Sequence, residues 1–587
     1  MNIQECDILN AIISKPYENQ RIRSQTSGHS LGIVNRSVKS LIDTGYLNTD
    51  MTPTDKAMQE VSVKSPKTAI ILAAGFGMRM VPINTETPKG LLEIHGEPLI
   101  ERLIKQLHEV GVSDIYVIVG FMKEQYEYLI DLYGVRLIVN TEYATKNNLH
   151  SIKLAAKYLG NSYIIPCDIW CAENPFNQHE LYSWYMVSDH LSGDSSVRVN
   201  RKMELVTVTG SGEGNTMLGI TYLVKKDAAY VNERIHQLAS DQRYDGAFWE
   251  ESLYAKNKMI IPAKLVPADV AVEINTYEQL RELDSNSNQL KSDAIETASK
   301  ALNTTPEAIT RITVLKRGMT NRSFLFNCNG HKYIMRIPGE GTDKLINRKQ
   351  EANVYQKINN KHICDNIVYI NPENGYKITE FIEGTRVCDP LNIMDVQKCM
   401  SKLRSFHEMN LQVDHEFDLF RQIDFYESLW DGRKSIYKDY YQTKPNVMSL
   451  KPYIDSQPQK RGLTHIDAVP DNFLFSTDPD QQETIRLIDW EYAGMQDPHE
   501  DIAMFCIYSF YDQAQIDQTI QFYFKNNCPD STRIKIYCYI AVCGLLWSNW
   551  CEYKRSLGVD FGEYSLRQYR YAKDYYKIVQ TELGKES

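Results

Sequence analysis

Nowhere in the chain do two cysteines stand in a Cys-x-x-Cys spacing, and the twelve that occur are scattered. No disulfide scaffold is therefore expected. With no charged, apolar and small-residue signal pattern at the start, a reducing cytoplasm is the expected setting. Long apolar runs are also missing. The strongest, "IYCYIAVCGLLW" from Ile536 to Trp547, is too short to span a bilayer and reads as a buried helix, so no membrane anchor is expected. Excess positive charge is absent as well: the formal net charge of −10 argues against a generally nucleic-acid-binding surface, though it leaves room for a local basic patch. No internal repeat is visible. What is present is 587 residues, 43% of them apolar, which is too much chain for one core and predicts about three to four folded domains.

The first sixty residues read as short helices followed by a turn and a strand. In "QRIRSQTSGHSLGIVNRSVKSLIDTGYLNTDMTPTDKA" one helical pattern ends near Ser27, Gly28 makes a turn, and a second pattern runs through Val34, Val38, Leu41 and Ile42 to a stop at Gly45. Ser30 is placed as its N-cap. The segment resembles a winged helix-turn-helix domain of the bacterial regulator type, which implies that Asn35, Arg36, Ser37 and Lys39 occupy the reading helix. Acidic residues slightly outnumber basic ones here, so an inherited packing or dimerisation module competes with DNA binding. Nucleic acid stands as a partner only through residues 1–63.

After "SVKSPK", read as a linker, an apolar strand from Thr68 to Ala73 runs into "LAAGFGMRMVPINTETPKG". A Walker loop needs its lysine directly after the glycines, whereas Lys89 lies fourteen residues beyond Gly75; a dinucleotide fingerprint needs a third glycine and an immediate helix. Neither fits. Gly75 and Gly77 permit a tight turn that aims backbone N–H groups at phosphate oxygens, Arg79 and Lys89 supply charge, and Pro88 fixes the chain ahead of Lys89. Downstream, helix, turn and strand alternate as in an α/β sheet, and Asp168 closes the strand "SYIIPCDIW", where such folds place their ligands.

The register L-x-A-G-x-G-x-R…P-K resembles the nucleotidyltransferases that couple a nucleoside triphosphate to a sugar or alcohol phosphate, with a mixed-sheet, Rossmann-like domain. The resemblance implies that Ala73, Ala74 and Gly75 approach base and ribose, that Gly77 and Arg79 meet the triphosphate, and that Lys89 meets the reacting phosphates. It also implies a Mg²⁺ ligand at Asp168 and a second acidic ligand in "VAVEINTYEQLREL", where Asn275 stands in place of the usual aspartate and Glu273 precedes it by two. Either Asn275 binds through its carbonyl or Glu273 takes the role. Within the family, "NNLHS", "CDIW" and "YDGAFWEESLY" resemble the choline-phosphate cytidylyltransferases of bacterial cell-surface decoration. A trimethylammonium group needs aromatic faces. Trp170, Tyr182, Trp184, Tyr244 and Trp249 are candidates, with Trp170 and Trp249 preferred.

From Asp284 the composition turns polar, and a short helix to about Leu302 precedes Thr305 as an N-cap and Pro306 as the first position of another helix. "LTHIDAVPDNFLF" then sets Asp467 two residues after His465 and five before Asn472, and "IRLIDWEYAG" puts Asp489 at the end of an apolar strand. An aspartate for the hydroxyl proton, an asparagine able to bind metal and a second aspartate for Mg²⁺ are the minimum set for positioning ATP against an alcohol. This region resembles the choline and ethanolamine kinases, of protein-kinase-like fold. That implies Gly318 to Asn321 as the phosphate-covering turn, Arg336 paired to Glu351 at the nucleotide, Asp467 as base, and Asn472 and Asp489 as metal ligands. It leaves His465 as an orienting residue and Asp501 as a brace of the catalytic loop. Trp490, Glu491, Trp547 and Trp550 are candidates for enclosing a quaternary amine.

The expectation is therefore a multidomain α/β and α+β chain with domains at 1–63, 67–284 and 288–587. It would make phosphocholine from choline and ATP, then CDP-choline and diphosphate from phosphocholine and CTP. Ethanolamine or sugar-phosphate substrates on the same folds, and a ligand-sensing DNA-binding regulator, are the competing readings.

Overall fold

The structure, a computed structural model, describes residues 1–16, 18–77, 80–83, 87–208, 212–315, 321–339, 342, 345–477, 483–556 and 561–586. The chain divides into two compact units, Met1–Ser292 and Asp293–Ser587.

The first unit begins with four helices: α1 (Ile3–Ser14), α2 (Gln20–Ser27), α3 (Leu31–Asp43) and α4 (Asp55–Lys64). Asn2 and Glu5 form a capping box at α1, and Gly28, at φ +68°, ends α2 in the left-handed conformation that glycine adopts without strain. Ser30 stands at the N-cap of α3, but its side chain makes no capping bond. Asn35, Arg36 and Lys39 are exposed on α3, while Ser37 is buried against the helical core. A single bridge pairs Leu47 with Pro53. The linker expected at "SVKSPK" is shorter than its composition suggested, because the Thr54 hydroxyl caps α4 and buried Val61 carries that helix through Lys64. The module is seated on the sheet domain behind it. Leu181 enters the helical core, the Tyr182 hydroxyl donates to Asp7 Oδ1 at 2.7 Å, and Asn161 Nδ2 donates to the Val63 carbonyl at 2.5 Å.

Thr68–Ala73 is the central strand of a ten-stranded mixed sheet, flanked in parallel by Asp114–Val119 and Ser162–Pro166. Its alternation decides the layers. Ala69, Ile71 and Ala73 pack with Ile100, Leu103, Ile104 and Leu107 of the helix Leu99–Glu109, whereas Ile70 packs with Leu149, Ile152, Val231 and Ile235 of helices on the other face. Apolar residues on both faces are what a parallel strand buried between helix layers requires. The strand before Asp168 ends earlier than expected, at Pro166, so Asp168 lies in the turn to Ile169–Cys171. That short strand pairs with Ala271–Glu273, with Val272 opposite Trp170, and so brings the late acidic segment back to Asp168.

The second unit opens with the helix Asp293–Ala301. The further helix expected at Pro306 is a single 3₁₀ turn, Pro306–Ala308, without a capping bond from Thr305. A five-stranded antiparallel sheet follows in the order Thr310–Val314, Asn321–Cys328, His331–Pro338, Lys377–Glu380, Ile367–Ile370, with the helix Arg348–Ile358 between its strands in sequence. The rest is largely helical. The apolar run at Ile536–Trp547 lies inside the helix Asp530–Ser556, whose 27 residues are long and apolar enough to cross a membrane by composition; its most apolar window is wholly buried in the core. This helix packs on Glu563–Glu586 at Gly544, where a Cβ atom would stand 2.7 Å from the Gln568 carbonyl oxygen and 2.9 Å from the Ala572 nitrogen. Replacing Gly544 with Val should therefore force the two helices apart and destabilise this unit by about 1–3 kcal/mol. Calorimetric melting of the whole chain reads the loss as an earlier transition, and an unshifted transition would contradict so close a crossing.

Candidate active sites

In the first unit the loop after Thr68–Ala73 and the residues that face it converge on Lys89. Gly77 takes φ +65°, and a Cβ there would come within 3.0 Å of Lys89 Cγ and Cδ, so glycine serves both the backbone and the passage of the lysine stem. Gly75 has no such demand: it lies outside the left-handed region and faces open space. Ala73 and Ala74 are buried, and the Ala74 carbonyl accepts from Phe121 N–H at 3.1 Å. Arg79 lies outside the described residues. Lys89 is itself buried, paired with the Asp168 carboxylate, and donates to Asn275 Oδ1 at 2.8 Å.

Asn275 is fixed from both sides. Its N–H donates to Gln279 Oε1 at 2.7 Å, next to the capping box of Thr276 and Gln279, and Ile274 N–H donates to the Asp168 carbonyl at 2.8 Å. Of the two alternatives for a second ligand, the structure brings Asn275 to Asp168. Glu273 belongs to another group: its charge acts on Glu250, which accepts from the Tyr185 hydroxyl at 3.2 Å. Burial, reinforced by Glu273, pushes the Glu250 carboxyl up to about 7, and its enclosed Oε2 has no hydrogen-bond partner among the described residues. Sequence reasoning passed over Glu250 because it singled out the neighbouring tryptophan. Among the described residues no cluster of three or more His, Cys, Asp or Glu could hold a metal. One carboxylate and one amide oxygen do converge here, a partial oxygen set that suits a hard cation completed by water and phosphate.

The aromatic candidates fare differently. Trp249 is 1% exposed and packed in the core, its backbone N–H tied to Asn148 Oδ1, so its ring offers no open face to an amine. Trp184 is buried under Lys264, 4.0 Å from its ring centroid, Tyr182 is tied to Asp7, and Tyr244 packs against the same core as Trp249. Trp170 is half-buried, with Arg102 5.6 Å from its ring centroid.

In the second unit the loop that carries Asp467 hangs from Asp501. That carboxylate accepts from the N–H groups of His465, at 3.0 Å, and Ile466, at 2.7 Å, and pairs with His407 Nε2 at 2.9 Å. The brace holds a β-branched residue in the left-handed region, Ile466 at φ +72°, while Asp489 sits at φ +67°. His465 has its Nε2 on the Ile488 carbonyl at 2.9 Å, and burial pushes it down to about 4, so it is a neutral orienting group. Asn472 Nδ2 donates to the Asp467 carbonyl at 2.8 Å and to its carboxylate at 3.2 Å, which leaves the amide oxygen as a donor for a cation beside Asp489. Asp467 is raised to about 8 by burial and then by Asp489 and Glu491; Asp489 is raised to about 7 by burial and then by Glu491. A site that gathers this much unneutralised carboxylate suits a divalent cation.

Above it, Arg336 grips both oxygens of Glu351 and donates to the Gly375 carbonyl at 2.8 Å. Burial alone would raise Glu351; the guanidinium draws it down to about 2. Arg348 links Glu351, at 3.0 Å, to Glu491, at 3.2 Å, and Asn321 Nδ2 donates to Glu491 Oε2 at 2.8 Å. Glu491 is thus bound into a buried ion network and is not the counter-charge of an amine. Trp490 is likewise excluded from a cage: it is fully buried, donates from Nε1 to the Leu487 carbonyl at 2.7 Å, and stacks edgewise on Phe406 and His465. Gly318 lies outside the described residues. Trp547 and Trp550 do form an aromatic wall, 5.6 Å apart, joined by Tyr492 at 5.5 Å and Phe561 at 5.0 Å. Buried Tyr426, which feels the charge of Asp467, has a hydroxyl with no protein partner among the described residues. Tyr492 was within reach of sequence reading, two residues past Trp490; Tyr426 lies 41 residues before Asp467 in no motif.

A site at the carboxyl ends of parallel strands and a second in a kinase-like unit define a multidomain transferase. Residues 69–181 match the MobA-like NTP transferase domain and residues 312–540 match the choline/ethanolamine kinase family. The chain is 46% identical over 117 residues to choline-phosphate cytidylyltransferase of Streptococcus pneumoniae, a stretch that spans about half (51%) of that protein and 20% of this one. It is 32% identical over 226 residues to 2-aminoethylphosphonate cytidylyltransferase of Lancefieldella rimae, covering 88% of that protein and 37% of this one. It is 26% identical over 266 residues to Protein LicA of Haemophilus influenzae, covering 76% of that protein and 43% of this one. Among solved structures, choline kinase LicA from Streptococcus pneumoniae is 29% identical with a TM-score of 0.43, over 48% of this chain and 96% of that one. The chain belongs to the cytidylyltransferase family, and its second unit carries a choline/ethanolamine kinase domain.

The raised carboxylates of that domain set a pH dependence. Both folded values lie above the ordinary aspartate value of 3.8, so the folded protein holds protons that the unfolded chain has released. Stability of the metal-free protein should fall as pH rises from about 4 through about 8, and Asp489→Asn should reduce that fall. Melting temperatures at about pH 6 and about pH 9 measure it; a rise over that interval would overturn the assignment.

Proposed function

We propose that the chain is a bifunctional enzyme that phosphorylates choline with ATP and transfers CMP from CTP to phosphocholine, giving CDP-choline and diphosphate for cell-surface decoration. The observation that carries this reading is the presence, in one chain, of two assembled residue sets whose substrates are consecutive: Asp467 with Asn472 and Asp489, and Lys89 with Asp168 and Asn275.

In the kinase step Asp467 receives the proton of the choline hydroxyl as that oxygen bonds to the γ-phosphorus and the bond to ADP breaks. Tyr492 and Trp547, which keep a little exposed surface, offer ring faces to the methylated ammonium, with buried Trp550 packed behind Trp547. In the transfer step a phosphocholine oxygen attacks the α-phosphorus of CTP as diphosphate leaves, and Lys89, with Arg79, balances the charge on the phosphates. Glu250 and Glu273, whose mutual repulsion a cation would relieve, supply the anionic partner of the amine that buried Trp249 does not. Mg²⁺, held by Asp168 and Asn275 in one site and by Asp489 and Asn472 in the other, supplies charge neutralisation to phosphate when bound. The residues divide into a winged helix module at 1–63, a nucleotidyltransferase domain at 67–284 and a kinase domain at 288–587. Any nucleic-acid contact would fall to exposed Asn35, Arg36 and Lys39.

Supplied with choline, ATP, CTP and Mg²⁺, the purified chain should produce CDP-choline, followed by phosphorus NMR; its absence under every order of addition would sink the reading. Asp467→Ala should lower choline phosphorylation by about 10²–10⁴-fold and leave phosphocholine-dependent diphosphate release intact. Lys89→Ala should do the reverse, by about 10²–10³-fold. Glu250→Gln should raise KM for phosphocholine about tenfold, the equivalent of about 1.4 kcal/mol, without moving KM for CTP. Parallel rates with ethanolamine, phosphoethanolamine and 2-aminoethylphosphonate test the head group, and a preference for the primary amine would transfer the reading to those substrates.

A further inference from the structure

The kinase unit buries two arginines side by side, Arg336 and Arg348, and resemblance points only to the first for the nucleotide. Arg336 stands at the strand position expected to meet phosphate, yet its fork is closed. Both Nη atoms are bound to Glu351, and Nη2 also donates to the Gly375 carbonyl. A bidentate arginine–carboxylate pair of this kind is among the strongest contacts a protein makes, and a phosphate would have to break it to enter.

Arg348, on the first turn of the helix Arg348–Ile358, is held differently. One edge, Nη1, shares the carboxylates of Glu351 and Glu491. Among the described residues the other edge, Nη2, meets only neutral oxygens, Asn321 Oδ1 and Thr342 Oγ1, each at the long distance of 3.4 Å. Charge-assisted hydrogen bonds are roughly twice as strong as neutral ones, so an anionic oxygen arriving at that edge displaces both. The neighbours locate the edge. Asn321 ends the stretch read as the phosphate-covering turn, and Glu491 lies two residues beyond Asp489, the carboxylate offered to the metal. The edge therefore lies between Asn321 and the Glu491–Asp489 carboxylates. Gly375 keeps the arginine on this path: at φ +71° a Cβ would stand 2.7 Å from Arg348 Cδ and Nε.

We propose that Arg348 is the cation that receives the β- and γ-phosphates of the nucleoside triphosphate, while Arg336 is a structural clamp that holds Glu351 and the strand around it. Arrival of phosphate shifts Arg348 from Glu491 and leaves that carboxylate for the cation side of the site. This rests on the reading that the second unit phosphorylates an alcohol with ATP.

The test compares ATP with AMP, which lacks the phosphates concerned. Equilibrium binding of each nucleotide to the full-length chain is measured for wild type, Arg348→Lys, Arg348→Gln and Arg336→Lys. The ratio of the AMP to the ATP dissociation constant is taken at each variant because it does not depend on the fraction folded. Arg348→Lys should reduce the ratio about fivefold and Arg348→Gln should bring it near one, with KM for choline within twofold of wild type in the lysine variant. Arg336→Lys should lower the melting temperature and leave the ratio unchanged. A ratio that collapses in Arg336→Lys and survives in both Arg348 variants overturns the inference; so do Arg348 variants that weaken ATP and AMP equally. Failure of the wild type to phosphorylate any amino alcohol, with nucleotide still bound, refutes the parent reading instead.

Discussion

A carboxylate taken out of water costs several kcal/mol unless a cation or a set of donors meets it, and each site in this chain is organised by how that requirement is satisfied. In the first unit Lys89 meets Asp168 directly, with an amide oxygen as the third member, so the group is neutral as it stands. In the second, two guanidiniums answer Glu351 and Glu491, while Asp467 and Asp489 are raised by burial and the repulsion of neighbouring carboxylates, a strain that a bound cation would relieve. The contrast follows from where the cations are rooted. Lys89 comes from a turn within the site, whereas Arg336 and Arg348 are rooted on one side of theirs, on a strand and the helix after it, and pair with Glu491.

The supporting elements follow from that arrangement. A parallel strand with apolar residues on both faces can lie only between helix layers, and its end is then the one edge of the sheet where backbone and charged side chains reach solvent together. Ala74–Gly77 and Asp168 occupy such edges, and the short pairing of Ile169–Cys171 with Ala271–Glu273 carries Asn275 across to them. In the kinase unit the equivalent service comes from side chains: Asp501 and Asn472 fix a loop whose backbone takes conformations that few residues adopt willingly.

Motif spacing made two polar clusters legible, because phosphate chemistry demands particular residue types at particular separations: Lys89 meets Asp168, and Asp467 lies with Asn472 and Asp489. What spacing did not reveal was direction. Trp249 and Glu250 are adjacent, and only the fold decides that the indole goes into the core and the carboxylate toward Glu273. Trp490 and Glu491 have the same ambiguity, and there both turn away from an amine. Gly75 and Gly77 looked equivalent in composition, but only Gly77 adopts a left-handed backbone. Arg348 and Tyr426 sit in ordinary helical sequence, where a buried cation or an unpartnered hydroxyl leaves no signature.

Asp501 touches no reacting atom, yet two N–H groups of the loop behind Asp467 and the imidazole of His407 all depend on its two oxygens. Activity among relatives of this chain is therefore not readable from the reacting residues alone. A copy that kept Asp467, Asn472 and Asp489 but carried a neutral residue at Asp501 would pass as intact in any alignment of motifs. It would nonetheless be a decayed enzyme, disabled through its scaffolding while every reagent stayed in place.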